Sequence, residues 1–501
     1  MKKLIVTLCL FPALLSIAQK KANPKTFANT ITVEDLKKNL YTIAGDEMEG
    51  RETATEGQRK AAAFIENEFK TLGLLPGNKG SYQMQFPVYA DSLAKASIGV
   101  NDLKFSVGED FSFSLSANHS ATYYFSEVVF VGYGISDSNR NDYKDIDVKG
   151  KLVVALSGNI SGNISPQSKK QFNFYTQQLA AMKNGAAALL VVEPKINPEP
   201  PKSNMYIDAY QKNVRINTFI ISEKVAAAIM GNEYTAQKSA TQNAANTAKT
   251  FDANVALELN KIRNTLQSSN VLGLMEGTDL KDEYVVLSAH YDHLGKRGEI
   301  IWHGADDDGS GTVTILQLAK AFAKARAEGN GPRRSILFMT VSGEEKGLWG
   351  SDYYSSHPAF PLEKTSVDLN VDMVGRIDPS RKHGDSTNYI YVIGDDKLSS
   401  DLKPINEAAN RKNVKLELDY KYNDPNDPER IYYRSDHYNF AKHGVPIIFY
   451  FSGLHPDYHK PTDTPDKINY ELMRKRAQLV FYTAWEMANR PAMLKRDIPL
   501  K

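Results

Sequence analysis

The chain has 501 residues, of which 42 % are hydrophobic, 10 % aromatic and 24 % charged. At about 150 residues per domain this length suggests roughly three domains, each long enough to bury a core. The apolar content excludes a wholly disordered protein. Lys and Arg number 61 against 59 Asp and Glu, a formal charge of +2, which leaves no electrostatic footprint for nucleic acid or an anionic membrane surface.

Residues 1–18 read as an export leader. Lys2 and Lys3 precede an apolar run from Leu4 to Ile17, and Ser16-Ile17-Ala18 offers a small-x-small cleavage site before Gln19. The run is too short for a membrane span, and no later run reaches the required length of about 18 apolar residues. Export to the periplasm or beyond is the expectation, with no membrane attachment after cleavage. Cys9, the single cysteine, lies inside the leader, so a chain cut after Ala18 has neither a disulfide nor a thiol nucleophile.

Helices are expected over Asn29 to Thr42 and Thr55 to Leu72. In the second, Ala62, Ile65, Phe69 and Leu72 recur on one face, and Gly73 stops the pattern. From Tyr82 to Tyr133 alternating aromatic and β-branched residues predict short strands. Residues 19–122 are read as an N-terminal segment of the catalytic domain. A separate unit is expected over 123–252, with strands at Lys151 to Leu156 and Ala186 to Val192 around a helix at Gln171 to Lys183. The polar stretch Ala236 to Lys249 reads as a frayed helix near its boundary. Over 253–501 strands (Glu283 to Ser288, Ser335 to Val341, Thr365 to Met373, Pro446 to Phe451) alternate with helices (Ser310 to Ala327, Leu398 to Lys412, Tyr470 to Asn489). Such alternation predicts an α/β fold, a mostly parallel or mixed sheet with helices on both faces.

Nine of the ten histidines lie from His290 onward. Five short motifs there carry chemistry. His290 and Asp292 follow the strand ending at Ser288, a histidine with a carboxylate placed to fix its tautomer. Asp306, Asp307 and Asp308 stand between Gly304 and Gly309, three like charges that repel unless a cation sits among them. The spacing lacks the Glu of an EF-type calcium loop. Gly309-Ser310-Gly311 lacks the third glycine of a dinucleotide loop, Thr314 standing in its place. Glu344 and Glu345 follow the strand ending near Val341, where one carboxylate can bind metal and the other stay free as a base. Asp372 ends a fourth strand, and Tyr458-His459 sits in a turn. Together they supply two His, two Asp and one Glu as ligands and one spare Glu, the set two zinc ions sharing a carboxylate require.

The order and context of these motifs resemble peptidase family M28, the zinc aminopeptidases that include the glutamate carboxypeptidase type. The segment Gly45 to Arg51 has the same character, and the middle unit is similar to the protease-associated domain inserted in such enzymes. The resemblance implies two Zn²⁺ ions, His290 and Asp372 on one, Glu345 and His459 on the other, Asp307 bridging both. It implies Glu344 as general base, Asp292 behind His290, Tyr458 near the scissile carbonyl, and a cis peptide between Asp307 and Asp308. His303, ahead of the aspartate turn, departs from the family pattern and reads as structural. His437 resembles a family position without an assigned role.

The implied activity is removal of residues from the N-terminus of peptides, by attack of a zinc-bound water activated by Glu344. A serine hydrolase is disfavoured, since no G-x-S-x-G elbow is present. A carboxypeptidase would need arginines to hold a terminal carboxylate, for which Arg430 and Arg434 are available. A glutaminyl cyclase, with one zinc, and an inactive binding protein, with ligands lost, both fit the full ligand set poorly. Peptides are the only partners implied, and the oligomeric state is not legible.

Overall fold

The computed structural model describes residues 23–158, 160, 166–208, 214–243 and 248–500; the leader read at 1–18, with Cys9, lies outside them. The chain forms two compact units, one of the residues up to Phe86 together with those from Ser268 on, the other Pro87–Gln267. The expected boundaries at 122/123 and 252/253 are therefore corrected. Residues 87–122 leave the N-terminal segment for the middle unit, and 253–267 do the same from the C-terminal side. The reason lies in two long strands, Gln83–Val100 and Lys249–Met275, which carry the chain past each boundary without a loop. Gln83–Val100 also replaces the first of the short strands expected after Tyr82.

In the first unit, α1 (Val33–Ile43) and α2 (Glu56–Thr71) are capped by Thr32 and Thr55, whose hydroxyls accept the amides of Asp35 and Gln58. They bury Leu36, Leu40, Ile43, Ala61, Ala62, Ile65 and Phe69; of the face expected on the second helix, Ala62, Ile65 and Phe69 are buried and Leu72, at the C-cap, is half-buried. In the middle unit, β1 (Gln83–Val100) pairs antiparallel with β2 (Leu103–Phe105), and β3 (Ala121–Phe130), β4 (Leu152–Leu156), β5 (Ala188–Val192) and β6 (Asn217–Ile221) form a parallel run. Helix α3 (Phe174–Lys183) lies between β4 and β5 in sequence, and α4 (Glu223–Met230) follows β6. β7 (Lys249–Met275) pairs antiparallel with β3. The helix expected over 236–249 spans Tyr234–Gln242, and Lys249 already belongs to β7.

The rest of the first unit is β8 (Leu280–His290), α5 (Gly311–Ala327), β9 (Arg334–Val341), α6 (Trp349–Ser356), β10 (Thr365–Val371), β11 (Tyr389–Ile393), α7 (Leu402–Asn413), β12 (Glu417–Asp419), β13 (Ile447–Phe451) and α8 (Tyr470–Asn489). The strand order is β12-β11-β13-β10-β8-β9-β7. Strands β9, β8, β10 and β13 are mutually parallel; the end of β7 pairs antiparallel with β9 and β11 with β13. The sheet is mixed and mostly parallel, as expected.

Successive residues of these strands feed opposite cores. Val285, Leu287, Ile336, Phe338, Val367 and Leu369 pack with Leu316, Phe322, Met473 and Phe481 of α5 and α8. Val286, Leu337, Met339 and Phe449 pack on the other side with Tyr354 of α6 and Phe440. Burial on both faces is why these strands read as unbroken apolar runs. Among the described residues no helix is long and apolar enough to cross a membrane.

Candidate functional site

Parallel strands end on one edge of a sheet, and sites in α/β folds form beyond that edge. His290 is the last residue of β8, Ser342 to Glu345 follow β9, Asp372 follows β10, and His455 to His459 follow β13. The aspartate turn enters α5 beside them. Its Asp307–Asp308 peptide is cis, as the resemblance implied. Gly304 (φ +54) leads into it, where a Cβ would collide with the Asp307 carbonyl and the His293 ring.

Of the three consecutive carboxylates only Asp307 faces the other candidate residues. Asp306 Oδ1 accepts the Gly375 amide at 2.6 Å. Asp308 accepts the amides of Gly311 (2.7 Å), Met373 (3.0 Å) and His290 (3.2 Å). The turn is held from outside by Asp463, whose Oδ2 accepts the amides of Asp306 and Asp307 at 3.0 and 3.2 Å.

Two donor groups share Asp307. In the first, His290 Nε2 lies 3.2 Å from Asp307 Oδ1 and 3.7 Å from Asp372 Oδ1. In the second, His459 Nε2 lies 3.1 Å from Asp307 Oδ2 and 3.2 Å from Glu345 Oε2. His293, which the sequence reading did not single out, joins the second group, with Nδ1 2.7 Å from Glu345 Oε1 and 3.8 Å from Asp307 Oδ2. Glu344 Oε2 stands 3.9 Å from His290 Nε2, beside the first group. Nitrogen and carboxylate oxygen donors at these separations can hold a divalent cation.

The supports are hydrogen bonds to buried groups. Asp372 Oδ2 accepts the Ser435 hydroxyl at 2.7 Å, which in turn accepts Asn370 Nδ2 at 2.8 Å. Asp292 stands behind His290, its backbone oxygen 3.1 Å and its carboxylate Oδ1 3.7 Å from His290 Nδ1. The carboxylate accepts Thr53 Oγ1 (2.7 Å) and the Glu344 amide (3.2 Å), tying the β9 end to the β8 end. Tyr458 stacks on His459 at 3.8 Å and accepts Arg434 Nη2 at 3.2 Å. His303 Nδ1 meets the Ala44 carbonyl, outside the cluster. His437 is buried, stacks on Phe449 and bonds the Tyr432 carbonyl; burial pulls it down to about 3, so it stays neutral.

The charges sort themselves by neighbour. Burial pushes up the carboxyls of Asp307, Glu344 and Glu345. For Asp307 the effect is outweighed by His290 and His459, which hold it well below the usual range. For Glu345, burial and the Asp307 charge are outweighed by His293 and His459, and it too is lowered. Glu344 goes the other way: burial, with Glu345, Asp372 and Asp436 nearby, raises it well above the ordinary value despite His290. The adjacent glutamates are thus pushed apart.

Arg51, from the N-terminal segment, is fully buried beneath this edge. Burial lowers it to about 10 against the charges of Asp292, Asp307 and Asp308, leaving it cationic at neutral pH. Its guanidinium donates to the carbonyls of Tyr291 (2.7 Å), Ile43 (2.9 Å), His303 (2.7 Å) and Gly304 (2.9 Å). Arg51→Met should destabilise the first unit by about 3–5 kcal/mol, because four backbone carbonyls lose a charged donor. Urea denaturation of the variant checks this.

A small cavity opens from the donor groups. Met373, Ile431, Phe449, Phe451 and Leu454 line it opposite His290, Asp307, Glu344 and Asp372, with Arg434 and Tyr458 also on its wall.

Residues 270–484 match the sequence model of peptidase family M28. These 215 of the 501 residues are similar to that family. The chain is 29 % identical over 234 residues to a "Probable leucine aminopeptidase" of Arthroderma otae, the match covering 46 % of this chain and 60 % of that one. It is 26 % identical over 270 residues to a "Probable zinc metalloprotease" of Pyrenophora tritici-repentis, covering 45 % of this chain and 52 % of the other. The chain thus matches little more than half the length of these curated relatives. In fold, the aminopeptidase from Aneurinibacillus sp. strain AM-1 superposes with a TM-score of 0.53 at 21 % identity, covering 96 % of this chain and 100 % of that one. The M28 match begins at Asn270, near the start of the C-terminal part of the first unit, and contains every donor named above.

Proposed function

We propose that this chain is an exported zinc exopeptidase that removes residues from the N-terminus of peptides. The observation that carries the reading is the pair of donor groups sharing Asp307, with an uncommitted Glu344 beside one of them. Buried Asp307 Oδ2 and Glu345 Oε1 have no hydrogen-bond partner, so the site's own chemistry asks for cations. His290, Asp307 and Asp372 would hold one zinc, Asp307, Glu345 and His459 the other. When bound, such ions supply Lewis acidity toward a carbonyl and bring the pKa of water toward neutrality.

The chain's own groups do the rest. Glu344, raised by its surroundings, can take a proton from water and return it to the departing amine. Tyr458 receives its hydrogen bond from Arg434, which leaves its own O–H free to donate to a developing oxyanion. Asp292 fixes the Glu344 amide and so the start of the glutamate pair. The apolar wall from Met373 to Leu454 suits a hydrophobic side chain on the residue being released. The name of the A. otae relative supports an aminopeptidase, and that of the P. tritici-repentis relative supports zinc. Pro87–Gln267 is read as the protease-associated unit, and none of the donors named above comes from it.

Arg434 on the cavity wall favours a second reading, a carboxypeptidase that pairs it with a terminal carboxylate. Peptides blocked at the N-terminus, at the C-terminus, or at neither distinguish the two. N-terminal blocking should abolish cleavage and C-terminal amidation should not. The opposite pattern identifies the carboxypeptidase, and no cleavage by zinc-loaded protein refutes both.

A further inference from the structure

We propose that His293 is a third histidine ligand, giving the second cation site four protein donors, His293, Asp307, Glu345 and His459, against three at the first. The inference rests on the zinc reading above and goes beyond the ligand set that the resemblance implied.

His293 lies three residues after His290 and is wholly buried. Its place is set from three sides. Its amide donates to the Arg51 carbonyl at 3.2 Å, its ring is packed against Gly304, where any Cβ would strike it, and the His459 ring lies 6.0 Å away. Neither ring nitrogen makes a hydrogen bond, and neither do Glu345 Oε1 and Asp307 Oδ2, toward which Nδ1 points at 2.7 and 3.8 Å. A buried polar atom without a partner costs about 1–3 kcal/mol, so three of them converging on one point need a common partner. Zinc ligands lie about 2.0–2.2 Å from the ion, so donors on adjacent corners of a tetrahedron stand roughly 3.3 Å apart. The histidine-to-carboxylate separations in this group, 2.7 to 3.8 Å, bracket that value.

The count divides the labour between the sites. Four protein donors close a tetrahedral zinc site, whereas three leave a position open. The open position then belongs to His290, Asp307 and Asp372, the group that Glu344 borders. The His293 group holds the other ion tightly and keeps Asp307 and Glu345 in place.

X-ray absorption at the zinc edge of the full-length, zinc-loaded protein tests this without reference to activity. Three histidines over two ions give an average of about 1.5 imidazoles per zinc. His293→Ala should bring that average to about 1 and weaken one of the two equivalents, in chelator competition, by at least the roughly 10–100-fold seen when only an outer partner is lost. Wild-type protein with two zincs and one imidazole each overturns the inference and leaves the proposed function standing. So does a His293→Ala variant with an unchanged competition curve. Wild-type protein that takes up no zinc overturns both. If the variant does not fold, the wild-type imidazole count decides alone.

Discussion

Glu344→Gln lowers the turnover number by about 10²–10⁴-fold, the contribution of a positioned acid–base group, while metal content stays at the wild-type level. The amide keeps the size of the side chain and much of its hydrogen bonding but cannot accept a proton. Glu344 belongs to neither donor group and stands 3.9 Å from the nearest histidine nitrogen of the first, so its loss removes no ligand. Glu345→Gln has the converse signature. Its Oε1 and Oε2 lie 2.7 and 3.2 Å from His293 and His459, and a neutral amide there weakens one zinc equivalent. Excess zinc restores part of the activity of Glu345→Gln and none of that of Glu344→Gln. Elemental analysis beside steady-state kinetics separates the two, and a Glu344→Gln protein that has lost zinc while Glu345→Gln keeps it reverses the assignment.

Asp307→Ala should have the largest effect of any single change, because this residue belongs to both donor groups. One oxygen stands 3.2 Å from His290 and the other 3.1 Å from His459. Without it both groups lose their shared carboxylate, so bound zinc falls from two equivalents toward none, and activity falls with it. Asp306→Ala and Asp308→Ala serve as contrasts, since those carboxylates hold backbone amides and face away from the donors. They should cost stability and retain measurable metal. Equal metal loss from all three variants would mean that the turn acts as one acidic cluster.

The site was legible where a residue's role follows from its own strand. His290, Asp372 and the glutamate pair each end or follow an apolar run, and parallel strands deliver their ends to one edge whatever the details of packing. His293 was passed over because His-x-Asp drew attention to Asp292. The cue was present as a second histidine within four residues, but only the fold brings it to Glu345. The Asp292 carboxylate stands 3.7 Å from His290 Nδ1, on the expected side of the ring, but its hydrogen bonds come from Thr53 and the Glu344 amide, partners 239 and 52 residues away in sequence.

Apolar runs, their lengths and the punctuating glycines determined by themselves the α/β class, most strands and helices of the M28 region, and the five places where chemistry would gather. Each of these depends on local patterning, which folding preserves. The unit boundaries and the division of the three aspartates were decided only in three dimensions. The boundaries are hidden because β1 and β7 run through them as continuous strand, with no polar or glycine-rich linker to mark the change. The aspartates are chemically equivalent in the chain; the amides of Gly311, Met373 and Gly375 take two of them, and Asp307 is left to face His290 and His459.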